Sequence, residues 1–312
     1  MIQYFKIIDH QTIEIDKPEN GVWVNLVPPF KEEEFIELGQ KLQIPIEFLR
    51  DSLDIDERPR YELDDNTKFI VIKTPTENNS FNDSDAFYIT IPICIILTDN
   101  QIVTVNSFDN GAIKKFLNSF QRRNPEKRSM MVLKIFEKVV QNFMEFLKEI
   151  NQRRNKYETS LYKSNSNEDL LNLMRIQKSL VYFITALRSN EMLLMKLERT
   201  NFLGLTDDEK EFMQDLIVDT SQALEMANIY TNILTSTMDA FGSIISNNLN
   251  TVMKRLTSIT IILSLPALVA SVYGMNVDIS GKHSPHSFYI PILISLGVSV
   301  AISAYIMKKK WF

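Results

Sequence analysis

Residues 254–277 read KRLTSITIILSLPALVASVYGMNV, and this stretch decides the fold. After the two basic residues at its start, no charged residue occurs until Asp278. The uncharged run from Leu256 to Val277 has 22 residues, which matches the roughly 20 helical residues that cross a bilayer core. The sequence therefore predicts a first membrane-spanning helix over residues 256–277.

A second uncharged run, Phe288–Met307, predicts another membrane span over residues 288–307. Residues 278–287 between the two runs are a predicted outer loop, and residues 308–312 are a basic tail. Basic residues before the first run and after the second favour the cytoplasmic side. Both ends of the chain are therefore predicted in the cytoplasm, with the two spans in the plasma (inner) membrane. The alternative is a buried helical hairpin of a soluble protein, which would need a much larger soluble core around it.

The composition of the chain argues against several classes of function. Its 312 residues carry a formal net charge of −5, which disfavours a nucleic-acid partner. Cys94 is the only cysteine, so an internal disulfide and most cysteine metal sites are excluded, and a place in the core is predicted for it. The sequence has no glycine-rich phosphate loop, no nucleophile motif and only three histidines, His10, His283 and His286. An enzyme is therefore not expected.

The region before the spans is predicted to begin with a cytosolic α/β domain over residues 1–125. Runs rich in β-branched residues predict strands, the last two joined as a hairpin, at 21–27, 68–74, 87–97 and 101–105. Short helices are predicted at 31–42 and 45–53. A polar surface loop is predicted at 76–85.

Long helices are predicted after this domain, because no proline occurs between Pro125 and Pro266. Residues 126–205 are predicted to be an antiparallel helical pair, with apolar residues at helical spacing over about 129–161 and 168–200.

A third, unusually long helix is predicted to start at a capping box formed by Thr206 and Glu209, and its first clear stop is Gly274. A helix over residues 207–273 would be about 100 Å long, which greatly exceeds the thickness of a membrane. Residues 206–255 are therefore predicted to be a cytosolic stalk that continues directly into the first span.

The third predicted helix carries polar but uncharged residues on one face. Between Met226 and Met253 only Asp239 is charged, and such a composition suggests burial around water. Placing residues at a spacing of about 3.5 gives one polar stripe: Asp239, Ser246, Asn250, Met253, Thr257, Thr260, Ser264, Ala267 and Ser271. This stripe is predicted to be a pore wall, which requires a closed ring of identical chains. The alternative is a set of small residues that lets two membrane helices pack closely.

The end of the first span has the chemistry of a cation entrance. Helix C-termini carry partial negative charge and unpaired carbonyls, and Gly274 allows the backbone to leave the helix there. Asn276 offers a neutral amide oxygen that suits the water shell of an ion such as Mg²⁺. Within the span, Pro266 frees a carbonyl near Ile262 that only protein or a watery lumen could satisfy.

The stretch VMKRLTSITIILSLPALVASVYGMN (252–276), followed by a second span and KKKWF, resembles the CorA family of divalent-cation channels, whose signature is YGMN. The similarity extends upstream to DERPRYELDDNTKFIVIK (56–73) and so covers essentially the whole chain. The resemblance implies a funnel-shaped homopentamer with an α/β cytosolic domain, a long stalk helix that continues into the pore, and an outer second helix.

The resemblance also implies roles for particular residues. The selectivity filter would be Gly274, Met275 and Asn276. The pore would be lined by Asp239, Asn250, Met253 and Leu256, with Met253 and Leu256 as its hydrophobic gate. A basic collar would be formed by Lys308, Lys309 and Lys310 with Trp311. Regulatory Mg²⁺ would bind Asp215 between subunits, and Glu77 in the polar loop is a candidate for the partner acid.

The resemblance further implies passive uptake of Mg²⁺, with Co²⁺ and Ni²⁺, across the plasma membrane, closed by high cytosolic Mg²⁺. No resident cofactor is expected, because Mg²⁺ is the transported ion and the regulatory ligand. The outer loop VDISGKHSP (277–285) departs from relatives that carry an acidic MPEL sequence there, since Asp278 is its one acid. His283 and His286 leave open a Zn²⁺-preferring transporter. A membrane-anchored sensor or scaffold without transport is the remaining alternative.

Overall fold

A computed structural model describes residues 2–8, 11–16, 22–27, 32–78, 86–99, 101–106, 113, 127–164, 167–275 and 289–308. The chain divides into two compact units, Met1–Thr235 and Ser236–Phe312. A mixed α/β region, long helices and two long apolar helices near the C-terminus follow one another, as predicted from the sequence.

The first unit contains a sheet of seven strands in the order β2-β1-β3-β7-β6-β5-β4. The strands are β1 Ile2–Ile8, β2 Gln11–Ile15, β3 Trp23–Leu26, β4 Arg60–Asp64, β5 Thr67–Glu77, β6 Tyr88–Leu97 and β7 Ile102–Asn106. Neighbouring strands are antiparallel except β3 and β7, which are parallel. The predicted hairpin of β6 and β7 is confirmed, and Cys94 is buried in β6.

Three strands of this sheet were not expected from the sequence, namely β1, β2 and β4. Strand β4 has the sequence RYELD and its side chains are half-buried or exposed, so it lacks the apolar alternation of a typical strand. Its backbone is held by antiparallel pairing with β5, whose residues are mostly buried. A buried neighbour therefore supplies the strand conformation that the β4 residues do not favour themselves.

Two short helices, α1 (Glu32–Leu42) and α2 (Ile46–Asp51), pack on one face of the sheet. The Phe48 ring of α2 stacks on the Phe69 ring of β5 with centroids 4.5 Å apart. Gly39 allows a close approach between α1 and the following turn, since an added Cβ would lie 3.2 Å from the Ile44 carbonyl oxygen and 3.3 Å from Leu49. Both helices were predicted.

Two long helices, α3 (Arg128–Ser164) and α4 (Asn167–Arg199), pack against strands β5 and β6. The two helices run in opposite directions along the sheet, as predicted for an antiparallel pair, and two sets of contacts show this. Asn142 of α3 and Asn190 of α4 both contact the 73–75 segment of β5. Further along, the guanidinium groups of Arg153 and Arg175 both lie over the Phe87 ring.

The Asn190 side chain takes the place of a neighbouring strand beside β5, at a position that β4 does not reach. The first residue of β4 pairs with Val71, so the backbone of Lys73 has no partner from that strand. The Lys73 N–H donates to Asn190 Oδ1 at 3.0 Å, and Asn190 Nδ2 donates to the Lys73 carbonyl at 2.8 Å. One side chain thus satisfies both backbone groups and fixes α4 to the sheet.

Helix α5 runs without interruption over Asp207–Tyr273, as predicted, with Pro266 inside it. Glu209 lies in the first turn of α5 and is 3% exposed. The carboxylate accepts hydrogen bonds from the Thr206 N–H at 2.8 Å, from the Thr206 hydroxyl at 3.0 Å and from the Ser129 hydroxyl at 2.6 Å. Burial alone raises the pKa of Glu209, but these donors outweigh it and the pKa is lowered.

Helix α6 is Tyr289–Lys308, and both α5 and α6 contain a segment long and apolar enough to cross a membrane. Only 6% of that segment is buried in α5 and 17% in α6. A core helix of a soluble protein would be mostly buried, so the alternative of a buried soluble hairpin is not supported.

Candidate ion pathway along the long helix

The predicted polar stripe of α5 is open on the surface of the single chain. All nine of its residues, together with Leu256, are exposed. The two apolar residues predicted as a gate are Met253 of the stripe, 52% exposed, and Leu256 beside it, 57% exposed. Residues three apart on a helix share a face, so these two side chains form an apolar step beside an otherwise polar stripe.

A different face of α5 carries its contacts in the membrane segment. Ser258 is 2% exposed, and the half-buried residues that follow it on the same face are Ile262, Leu265, Pro266 and Val269. At 100° per residue, the centre of this face lies roughly 160° around the helix from the centre of the polar stripe. The stripe therefore does not serve packing between the two spans of one chain.

Helix α6 has two buried serines, and one of them contacts this face of α5. Ser295 and Ser299 are 6% and 5% exposed, although most of α6 is exposed. The Ser299 hydroxyl donates to the Ile262 carbonyl, with 3.3 Å between the oxygens. The sequence predicted that the carbonyl freed by Pro266 would be hydrogen-bonded either by protein or by water in a lumen. The Ser299 hydroxyl shows that the donor is protein.

Hydroxyl groups on and beside the stripe are oriented by hydrogen bonds to their own helix. Ser243 donates to the Asp239 carbonyl at 3.1 Å, Thr260 to the Leu256 carbonyl at 2.8 Å, and Ser264 to the Ile261 carbonyl at 2.9 Å. Because each hydroxyl proton is used in the helix, the oxygen lone pairs remain free on the exposed side. Such a surface accepts hydrogen bonds, as the water shell of a cation requires.

A shallow groove marks the first part of the stripe, lined by Asp239, Gly242, Ser243, Ser246 and Asn250 among others. Gly242 faces open space in this groove, since a Cβ placed there would meet nothing within 4 Å. The groove brings one carboxylate, two hydroxyls and two amides, those of Asn247 and Asn250, to a common surface.

The predicted outer mouth is described up to Met275. The Gly274 N–H donates to the Ala270 carbonyl at 2.9 Å, and the Met275 N–H donates to the Val272 carbonyl at 3.3 Å. These bonds close the last turn of α5 and leave Met275 58% exposed. Asn276, the outer loop with His283 and His286, and the collar residues Lys309, Lys310 and Trp311 lie outside the described residues; Lys308 is the last residue of α6 and is exposed.

The predicted regulatory acids lie on different elements of the first unit. Asp215 is exposed on α5. Glu77 was placed in a polar loop, but it is the last residue of β5, paired with Tyr88, because β5 extends further than its apolar run indicates. Within the described parts of the chain, no three His, Cys, Asp or Glu side chains converge to hold a metal.

A charged cluster in the first unit was missed by the sequence reasoning. Arg60 donates to Asp51 and Glu57, both at 2.7 Å, and also to Glu62. Burial raises the pKa of Asp51, although the Arg60 charge opposes this shift. The cluster joins α2 to β4. The motif DERPRYE (56–62) contains Glu57, Arg60 and Glu62, but Asp51 lies before it in α2.

Comparisons with known proteins agree over nearly the whole chain. A family model described as CorA-like Mg²⁺ transporter protein matches residues 19–309. The cobalt/magnesium transport protein CorA of Methanocaldococcus jannaschii is 26% identical over 294 residues, which are 92% of this chain and 90% of that protein. The protein of the same name from Thermotoga maritima is 21% identical over 300 residues, 93% of this chain and 83% of that one.

Solved structures show the same fold. The complete structure of the CorA magnesium transporter from Methanocaldococcus jannaschii matches with a TM-score of 0.87 at 23% identity, covering 100% of this chain and 99% of that one. The full-length CmaX protein matches with a TM-score of 0.74 at 14% identity, covering 99% and 96%. The fold thus extends over both units.

Proposed function

Because the chain belongs to the CorA-like Mg²⁺ transporter family, we propose that it is a homopentameric channel for hydrated divalent cations, chiefly Mg²⁺ with Co²⁺ and Ni²⁺. It is a membrane protein with two C-terminal spans, and a transporter rather than an enzyme. Both ends of the chain are proposed to lie in the cytoplasm of a cell whose plasma (inner) membrane holds the pore.

The observation that carries this proposal is the position of the polar stripe. Thr260, Ser264 and Ser271 are exposed on the face of α5 opposite the face that meets α6. Their hydroxyl oxygens keep lone pairs for which lipid offers no donor, so covering this face with water or with another protein surface is favoured. A ring of α5 helices around a common axis covers every copy of the stripe with equivalent copies and encloses water.

The chemistry of the stripe supports a hydrated cation as the occupant. Five copies of Asp239 would place five carboxylates around the axis, and the hydroxyl and amide oxygens beyond them accept hydrogen bonds from water. Mg²⁺ sheds its water reluctantly and is suited to such a lining. Movement inward needs no nucleotide, since a membrane potential of 100 mV contributes about 4.6 kcal/mol to a divalent ion.

Gating is proposed at the apolar step in the stripe. Rings of Met253 and Leu256 would form a hydrophobic constriction that blocks ions when it loses its water. Mg²⁺ bound by Asp215 between subunits is proposed to hold this constriction closed at high cytosolic Mg²⁺. The exposed position of Asp215 supports this role, because the residue is accessible to a neighbouring chain.

The test is uptake of Mg²⁺, Co²⁺, Ni²⁺ and Zn²⁺ into liposomes that contain the purified full-length protein, at matched gradients. We expect Mg²⁺ uptake, and we expect Asn276→Ala to abolish it while size-exclusion chromatography still shows a pentamer. Zn²⁺ uptake with little Mg²⁺ uptake would indicate the Zn²⁺-preferring alternative. No uptake of any ion, or a monomer in mild detergent, would refute the channel and favour an anchored sensor or scaffold.

A further inference from the structure

The hydrogen bond between Ser299 and Ile262 repairs a defect that Pro266 creates in α5. Proline lacks an N–H, so the carbonyl four residues before it loses its helical donor. The Ser299 hydroxyl of α6 donates to that carbonyl, with 3.3 Å between the oxygens. Ser299 is 5% exposed, so little water can take its place.

Other hydroxyl groups of the two spans behave differently. Thr260, Ser264 and Ser295 donate to carbonyls of their own helix, at 2.8, 2.9 and 2.9 Å. Such bonds within a helix are the usual arrangement for serine and threonine. Ser299 instead reaches the neighbouring helix, at the one backbone carbonyl of the span that Pro266 deprives of a partner.

The position of this bond connects it to the ion pathway. Pro266 weakens the helix at its own position, and the segment from there to Gly274 leads to the predicted mouth. The direction of that segment depends on what holds the helix at the proline. In hydrocarbon a backbone carbonyl without a donor is costly, so a hydroxyl that reaches this carbonyl favours the local geometry in which the two groups meet.

We propose that Ser299 is a positioning residue, whose hydroxyl fixes α5 at Pro266 and thereby sets the geometry of the outer mouth. The proposal deepens the channel function and rests on it for the effect on ion flux. The contact itself is independent of that function. A competing explanation is that Ser299, like Ser258 and Ser295, is merely small enough for two helices to pack closely.

A double-mutant cycle on the full-length protein separates the two explanations. Pro266→Ala restores an N–H to the helix, so the Ile262 carbonyl no longer needs Ser299. Ser299→Ala is made in the native and in the Pro266→Ala backgrounds, and Ser299→Thr retains the hydroxyl. Ser295→Ala is the matched control, because it removes an equally buried hydroxyl that bonds only to its own helix.

Two quantities are measured for each variant that elutes as the native oligomer: the thermal unfolding midpoint in detergent and the rate of Mg²⁺ uptake into liposomes. With Pro266 present, we expect Ser299→Ala to lower the midpoint by about 1–4 °C and to slow uptake at least about threefold. Ser299→Thr and Ser295→Ala should stay near the native values. In the Pro266→Ala background, Ser299→Ala should change neither quantity further.

Equal effects of Ser299→Ala in both backgrounds would overturn the proposal, since packing does not depend on the proline. An uptake rate unchanged by Ser299→Ala would also overturn it. If the unsubstituted protein conducts no ion, the channel function fails, whereas the unfolding midpoints still decide whether Ser299 acts through the carbonyl that Pro266 frees.

Discussion

Replacing Glu209 with alanine is expected to destabilise the start of α5 by about 2–3 kcal/mol. The carboxylate accepts hydrogen bonds from Ser129 and from both donors of Thr206. Thr206 is exposed, so water can replace its partner, and that loss costs about 1 kcal/mol, as for other helix caps. Ser129 is half-buried and loses a bond to a charged acceptor, which contributes roughly 1.5 kcal/mol.

The acidic neighbour Asp208 provides the control for Glu209→Ala. It lies in the same first turn but is exposed, so Asp208→Ala removes only its interaction with the helix dipole, about 0.3–1 kcal/mol. The assay is urea unfolding of the full-length protein in detergent, followed by circular dichroism. A Glu209→Ala effect no larger than that of Asp208→Ala would refute the reasoning.

The Glu209 carboxylate should also make the free energy of unfolding depend on pH, which is a second and independent measurement. Because hydrogen bonds lower the pKa of Glu209 in the folded protein, the unfolded chain binds this proton more readily. The stabilisation is complete above the ordinary pKa of 4.5 and is lost as the pH falls through the lower folded value. Glu209→Gln should remove this part of the acid dependence, and identical acid profiles for the two proteins would contradict it.

Two further predictions concern the pathway. Thr260→Val replaces a hydroxyl of the stripe with a methyl group and should slow Mg²⁺ uptake into liposomes about fivefold or more. The control Ile259→Val changes the exposed neighbouring residue and should leave uptake unchanged. Equal uptake rates for the two variants would argue against the stripe as the pore lining. Met253→Gly removes the larger apolar side chain of the proposed gate and should raise uptake when Mg²⁺ is high on the cytosolic side, and an unchanged rate there would argue against a gate at Met253.

The long elements of the fold could be predicted because their signals are local. The 67 residues of α5 lie between a capping box and Gly274, and both limits are visible in the sequence. Strand β4 could not be predicted, because its charged residues acquire their conformation from pairing with β5. Asn190 gave no signal either, since its role depends on where β4 ends in space.

The candidate ion pathway also has features that the sequence predicted and features that it did not. Helical periodicity was sufficient to assemble the stripe, and the loss of a backbone donor at Pro266 followed from the chemistry of proline. The identity of Ser299 as the compensating donor required knowledge of how α6 meets α5, which no sequence spacing encodes. The extent of β5 at Glu77 was misjudged because pairing with β6 continues beyond the apolar run.

The unbroken helix from Asp239 to Ser271 restricts how the gene can change in length. Inserting one residue between Asp239 and Thr257 would turn the groove at Asp239 by about 100° away from the hydroxyls that follow. Insertions or deletions of seven or eleven residues would leave a phase error of only about 20°. Natural length variation in this segment is therefore expected to occur in steps of near-whole turns, so the segment should tolerate substitutions far better than single-codon gaps.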